Sequence, residues 1–223
     1  GPHNNCIITV TDITGNTSNN LEVRPFVIDT TAPTLTPVTA VSTPTGDNTP
    51  DYTFNSNEAG DITYGGSCSS STTTSATAGN NTVTFNELAD GTYDNCTITV
   101  TDSLGHTSSA LGVSAFTVDT TAPTLLPVMA VTTPTKDTTP SYVFASPEVG
   151  TISYGGNCSS STKSATLGLN TITFNTLSDA IYSNCTITVT DTAGNVSSPL
   201  GVNTFVVDTK TALVWDEGYW DFH

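Results

Sequence analysis

The sequence predicts an all-β chain built from tandem β-sandwich repeats of about seven strands, each closed by one disulfide. Three observations predict it. First, Asp29-Thr30-Thr31-Ala32-Pro33-Thr34-Leu35 returns as Asp119-Thr120-Thr121-Ala122-Pro123-Thr124-Leu125 and begins again at Asp208-Thr209, a step of 90 and then of 89 residues. Second, Asn5-Cys6, Asn95-Cys96 and Asn184-Cys185 mark the same cycle, each followed by an Ile-Thr-Val-Thr-Asp run. Third, no segment carries a helical apolar stripe; short alternating runs rich in Thr recur between turn residues.

The frame divides the chain into four pieces. Residues 1–28 form the C-terminal part of a truncated repeat, an F–G hairpin, and Gly1-Pro2-His3 reads as a remnant of protease cleavage. Residues 29–118 and 119–207 are two full repeats. Residues 208–223 open a further element and then leave the pattern as an acidic, aromatic tail. A unit of this length can bury its own core, so each repeat is a bead and not a solenoid turn.

In the first full repeat, strand A covers about 34–41, B 50–56, C 60–66, D 70–77, E 81–87, F 92–101 and G 109–118. Side chains of a strand alternate between faces. Alternation points Tyr52 and Phe54 inward from B, Ile62 and Tyr64 from C with Cys68 in the same parity, Val83 and Phe85 from E, and Cys96, Ile98 and Val100 from F. Val113 and Phe116 break parity on G, which predicts a bulge there. The second repeat copies these residues as Tyr142, Phe144, Ile152, Tyr154, Cys158, Ile172, Phe174, Cys185, Ile187 and Val189.

Cys68 and Cys96 fall in one repeat, and Cys158 and Cys185 at matching positions in the next. That pattern predicts one disulfide per repeat and an oxidising compartment. Cys6 matches Cys96 and Cys185, and the half-repeat that would carry its partner is missing.

The formal charge of −16, with only four Lys and Arg residues, excludes nucleic acid and anionic lipid as partners. No apolar run approaches the ~20 residues of a membrane span, so direct membrane insertion is not expected. Catalysis has no support: the three His residues occupy different frames, and no nucleophile–base arrangement recurs. Lys136, Lys163 and Lys210 stand at unrelated positions, against a core Lys–Asn cross-link in each repeat. Thr97, Thr99 and Thr101, with Thr186, Thr188 and Thr190, read as the solvent side of strand F and not as an ice-binding face.

Leu88-Ala89-Asp90-Gly91-Thr92-Tyr93 resembles the E–F turn of immunoglobulin-like and fibronectin-type sandwiches. The Asp-Thr-Thr-Ala-Pro linkers, the Glu58-Ala59-Gly60 turn and the Thr-Val-Thr-Asp-x-x-Gly-Asn/His-x-Ser hairpin resemble the tandem Ig-like domain repeats of large bacterial surface adhesins. The resemblance covers residues 1–209. It implies tandem Ig-like sandwiches held outside the cell or at its surface, acting as a non-enzymatic stalk whose partners are neighbouring repeats. Two alternatives are a self-assembling filament subunit, built by strand exchange between the truncated head and the tail, and a carbohydrate-binding accessory module.

Sandwich topology gathers recurring acids at one pole: Asp29, Glu58 and Asp102 upstream, and Asp119, Glu148, Asp191 and Asn195 downstream. Hard oxygen donors from several loops suit Ca²⁺, and some arrays of the resembled family carry it at domain junctions. The competing reading is that Asp and Asn simply serve their own turns; no cofactor is otherwise required. His106 stands where Asn195 stands, which sets the upstream group apart. In the tail, Trp215, Tyr219, Trp220 and Phe222 form an aromatic cluster. It reads either as a strand for self-association or as the start of another domain.

Overall fold

The computed structural model describes residues 1–210, so the aromatic cluster of Trp215, Tyr219, Trp220 and Phe222 lies outside the described residues. The chain folds as two compact units. Unit 1 takes in 1–42, 49–88 and 92–116; unit 2 takes in 43–48, 89–91 and the chain from 117 onward.

The N-terminal segment holds β1 (Pro2–His3), β2 (Ile7–Ile8), β3 (Leu21–Glu22) and β4 (Phe26–Val27). The first full repeat holds β5 (Leu35–Thr39), β6 (Asp51–Ser56), β7 (Gly60–Gly65), β8 (Ser75–Ala76), β9 (Gly79–Thr84), β10 (Gly91–Tyr93), β11 (Thr97–Thr101), β12 (Leu111–Gly112) and β13 (Phe116–Val118). The second holds β14 (Leu126–Met129), β15 (Ser141–Ser146), β16 (Gly150–Gly155), β17 (Ser164–Ala165), β18 (Gly168–Thr173), β19 (Ala180–Tyr182), β20 (Thr186–Thr190), β21 (Leu200–Gly201) and β22 (Phe205–Val207).

Each full repeat pairs A, B and E in one sheet (β5-β6-β9; β14-β15-β18). D, C, F and G pair in the other (β8-β7-β11-β12; β17-β16-β20-β21). The named ladders are antiparallel. This is the all-β, two-sheet, Ig-like arrangement the sequence predicts. The core is what alternation dictates: Tyr52, Phe54, Val83, Phe85, Ile98 and Val100, and their counterparts Tyr142, Phe144, Ile172, Phe174, Ile187 and Val189, are buried. Tyr64 and Tyr154 are only half-buried. Each hydroxyl reaches the rim and donates to a backbone carbonyl, Thr73 and Thr162, at 2.6 Å.

Three strand expectations are corrected. F does not run unbroken from 92 to 101: β10 pairs with β13, while β11 pairs with β7 and β12. G is interrupted between β12 and β13, where a bulge was expected; Val113 and Phe116 are nonetheless both buried. Both breaks fall at the second cysteine, where Val113 donates its amide to the Cys96 carbonyl, and residues 1–28 break in the same places around the unbridged Cys6. Cys68 and Cys96 are bonded with Cα atoms 5.2 Å apart, and Cys158 and Cys185 with Cα atoms 5.3 Å apart. The backbone before each second cysteine is committed to the disulfide corner. Asn95 Oδ1 accepts the Ser67 amide at 3.0 Å, and Asn184 Oδ1 accepts that of Asn157 at 3.1 Å. Gly66 and Gly156 turn there with φ of 74° and 73°, and a Cβ on either would strike the carbonyl oxygen of Asn95 or Asn184. Strand D shrinks to two residues, because Asn86 engages the 69–71 loop through Ser69 and Ser71. Strand A carries a register shift after Pro37 and after Pro127, which sequence alternation did not indicate.

Residues 1–28 reproduce the F–G half of a repeat. Pro2 and His3 pair with Val27 and Phe26 just as Ile181 and Tyr182 pair with Val206 and Phe205. The ring stack is kept too: His3 on Phe26 at 5.1 Å, Tyr93 on Phe116 at 5.3 Å, Tyr182 on Phe205 at 5.1 Å. Ile8 is 52 % exposed, whereas Ile98 and Ile187 are fully buried. Cys6 is a free thiol. No helix among the described residues is long and apolar enough to cross a membrane.

Candidate functional site

The F–G turn recurs three times with one hydrogen-bond plan. Asp12, Asp102 and Asp191 each use Oδ1 to accept backbone amides two and four residues on, at 2.7–2.9 Å. Gly15, Gly105 and Gly194 supply the positive φ between those amides. A serine six residues after each Asp, at Ser18, Ser108 and Ser197, accepts the amide of the preceding Val at 2.9–3.0 Å. This explains the Thr-Asp-x-x-Gly-Asn/His-x-Ser motif as a self-contained turn with one carboxylate oxygen left over. In the hairpin that oxygen accepts from Asn16, and the hydrogen bonds hold Asp12 well below the usual carboxylate range.

Two clusters form around that leftover oxygen. In unit 1, Asp29 from the linker, Glu58 from the B–C turn and Asp102 each bring a carboxylate oxygen to within 4.8 Å of the others. In unit 2, Asp119, Glu148 and Asp191 do the same. Two oxygens sharing one Ca²⁺ at ~2.4 Å each lie no more than ~4.8 Å apart, so the donor set and spacing fit that ion.

The clusters differ in their fourth member. His106 Nδ1 lies 2.9 Å from Asp102 Oδ2. Asn195 instead donates its Nδ2 to Asp191 Oδ2 at 2.8 Å and to the Asp119 carbonyl at 2.7 Å. Asn195, expected as an oxygen ligand, thus braces the Asp191 carboxylate and the Asp119 main chain through its nitrogen.

Charge is tuned accordingly. Burial, then Asp191 and Asp119, push the Glu148 carboxyl above its ordinary value, as converging negative charges must. Burial pushes Asp102 upward, but hydrogen bonds from His106 and Leu104 outweigh it and leave the group lowered. Hydrogen bonds from Thr31, chiefly its hydroxyl, lower Asp29, with His106 helping and Asp102 opposing.

Sequence reasoning gave no role to a second set of acids. Asp90, in the E–F turn, accepts the Thr120 amide and the hydroxyls of Thr120 and Thr121 at 2.7–2.9 Å. Asp179 holds Thr209 in the same way at 2.9–3.0 Å. Both carboxyls are lowered, Asp90 by the Thr120 side chain first and Asp179 by the Thr209 amide first. The signal was present: a recurring Asp in the E–F turn, 30 residues before a recurring Thr. These Asp residues fasten the strand-G end of each repeat into its linker.

These features define a tandem of disulfide-bridged, antiparallel, Ig-like sandwich repeats with acidic turn clusters. No protein-family model matches the sequence, and no curated protein does so significantly. Among solved structures, the chain is similar to the fibronectin(III)-like modules of Clostridium thermocellum CbhA, with a TM-score of 0.42 at 13 % identity over 85 % of this chain and 100 % of that one. It is also similar to the D00–D0 domain of intimin, with a TM-score of 0.34 at 12 % identity over 79 % of this chain and 99 % of that one.

Proposed function

We propose that this chain is a non-enzymatic stalk segment of a secreted or cell-surface bacterial adhesin, and that its acidic clusters take up Ca²⁺. The observation that carries the reading is repetition at two levels. One disulfide-bridged sandwich recurs in tandem, and the linker entering each full repeat brings its Asp to the acids of two turns in that repeat. The start of such a linker is held by two sets of acids. Its first residues are fastened by Asp90, and Asp119 lies against Glu148 and Asp191. A cation bound by all three carboxylates would tie the linker to the sandwich, which is what a load-bearing spacer requires. The disulfides fit an oxidising location outside the cytoplasm.

Calorimetric titration with CaCl₂ tests the metal, and small-angle scattering extrapolated to zero concentration, in Ca²⁺ and in EDTA, tests the stalk. The expected result is binding that Asp119→Asn with Asp191→Asn weakens by ~10-fold or more, and an elongated particle that becomes less extended in EDTA. Absence of Ca²⁺ uptake removes the metal. A compact particle in both buffers removes the stalk.

A further inference from the structure

Two loops built on one plan end in different tips. Thr43-Pro44-Thr45-Gly46-Asp47 connects strands A and B of the first full repeat, and Thr133-Pro134-Thr135-Lys136-Asp137 connects those of the second. Up to the tip their hydrogen bonds are the same. The Thr43 and Thr133 hydroxyls accept the amides of Thr117 and Val206 at 3.0 Å. The Thr45 and Thr135 amides donate to the carbonyls of Thr117 and Val206 at 2.9 Å, and their own carbonyls accept from the amides of Asp119 and Asp208 at 2.9 Å.

The tip is where they part. Residues 43–48 fold with unit 2, and there the Gly46 amide donates to the Ala193 carbonyl, in the F–G turn, at 2.9 Å. Gly46 is half-buried and Lys136 is exposed. The φ of Gly46 lies outside the left-handed region, so this glycine does not serve a strained backbone. It serves close approach. A Cβ on Gly46 would stand 2.7 Å from Asn195 Oδ1 and 3.1 Å from the Ala193 carbonyl oxygen. Neither atom can withdraw without cost. The Ala193 oxygen is main chain, and the Asn195 amide is pinned through Nδ2 to the Asp119 carbonyl at 2.7 Å and to Asp191 Oδ2 at 2.8 Å.

We infer that Gly46 is a positioning residue that latches the linker at Asp119: a tip without a side chain lets the loop seat on the F–G turn, and the seated loop holds Asp119. The contacts close a ring. Gly46 bonds Ala193, Asn195 of the same turn bonds the Asp119 carbonyl, the Asp119 amide bonds Thr45, and Thr45 adjoins Gly46. Asp119 is thereby held at its amide and at its carbonyl, which fixes the main chain that carries its carboxylate to Glu148 and Asp191. Tip and seat are a matched pair. Lys136 stands in place of the tip in the second repeat, and His106 stands in place of the seat residue Asn195 in the first.

The latch rests on these contacts and not on Ca²⁺ uptake, so it is tested in EDTA. Amide hydrogen exchange of the whole chain, followed residue by residue by NMR, is the measurement. In the parent the Gly46 and Asp119 amides are expected to exchange ~100-fold or more slowly than in an unstructured chain. Gly46→Ala should speed Asp119 by ~10-fold or more, and Gly46→Lys, which installs the residue found at 136, should do the same. Asp208 is the internal control: Thr135 holds its amide in the other loop, and it should keep the parent rate. Asn195→Ala should also release Asp119, and the double variant Gly46→Ala/Asn195→Ala should add little to either single change, because both open one ring. Protected amides in β20 confirm that each variant is folded. An unprotected Gly46 amide in the parent overturns the inference, and so does an Asp119 rate unchanged by Gly46→Ala. Equal acceleration at Asp208, or fully additive effects in the double variant, overturns it as well.

Discussion

Tyr52, Phe54, Val83 and Phe85 in the first full repeat, and Tyr142, Phe144, Ile172 and Phe174 in the second, all lie within a per cent of full burial. The opposite faces of the same strands carry unrelated chemistry: a Thr–Asn ladder in one and a Leu–Met–Val surface in the other. The inner face is constrained by close packing, where a change of one methylene is felt. The outer face needs only residues that sit well on a pleated surface, and Thr, Val, Leu and Asn can all meet that demand at similar stability. Repetition therefore fixes the core and leaves the outer face free to diverge, so the divergence is where function that differs between repeats belongs. Residues 1–28 sharpen the point from the other side. They keep the hairpin, the ring stack and the turn network, because those rest on contacts within the segment itself.

The largest effect that could break this equivalence comes from the disulfides. Cys68→Ser with Cys96→Ser, or Cys158→Ser with Cys185→Ser, opens loops of 28 and 27 residues, and each should cost about 3–4 kcal/mol. Denaturant unfolding that shows a loss in only one repeat would mean the two cores are not energetically alike.

Next are Gly66→Ala and Gly156→Ala. The positive φ and the collision with the Asn carbonyl should destabilise each repeat by about 2–3 kcal/mol, read as a lower unfolding midpoint. Equal losses would support a shared corner.

The acidic clusters give a smaller, pH-dependent difference. Glu148 is raised by burial and by Asp191 and Asp119. A carboxyl whose folded pKa is raised weakens folding above that pKa, and the penalty disappears as pH falls below the unfolded value. Without Ca²⁺, Glu148→Gln should therefore unfold at higher temperature than the parent at neutral pH, and the two should converge in acid. With Ca²⁺ present the order should reverse, because a ligand oxygen has lost its charge. His106→Asn should bring the two clusters to within ~3-fold of each other in Ca²⁺ affinity; a wider gap would mean that the fourth residue is not what distinguishes them.

The smallest effect concerns Tyr52 and Tyr142, whose buried hydroxyls have no hydrogen-bond partner among the described residues. Tyr52→Phe and Tyr142→Phe should each be neutral or stabilising by up to ~1 kcal/mol. A clear loss in either repeat would show that its hydroxyl is bonded after all.

By itself the sequence determined the repeat frame, the cysteine partners and the inward residues of B, C, E and F, because period-2 alternation and a recurring register are local properties of a chain. It also placed Asp29, Glu58 and Asp102, and Asp119, Glu148 and Asp191, as groups, since sandwich topology carries B–C and F–G turns to one pole. Only the tertiary structure decided where strands F and G break, because the chain changes partners there: β10 pairs with β13, while β11 pairs with β7 and β12. Only it showed that Asn195 points its nitrogen at the Asp191 carboxylate and the Asp119 carbonyl, that Asp90 fastens Thr120 and Thr121, and that Leu126, Ala145 and Leu169 line up across three strands. Those facts depend on side-chain direction and on register between strands far apart in sequence, and alternation along a single strand does not encode either.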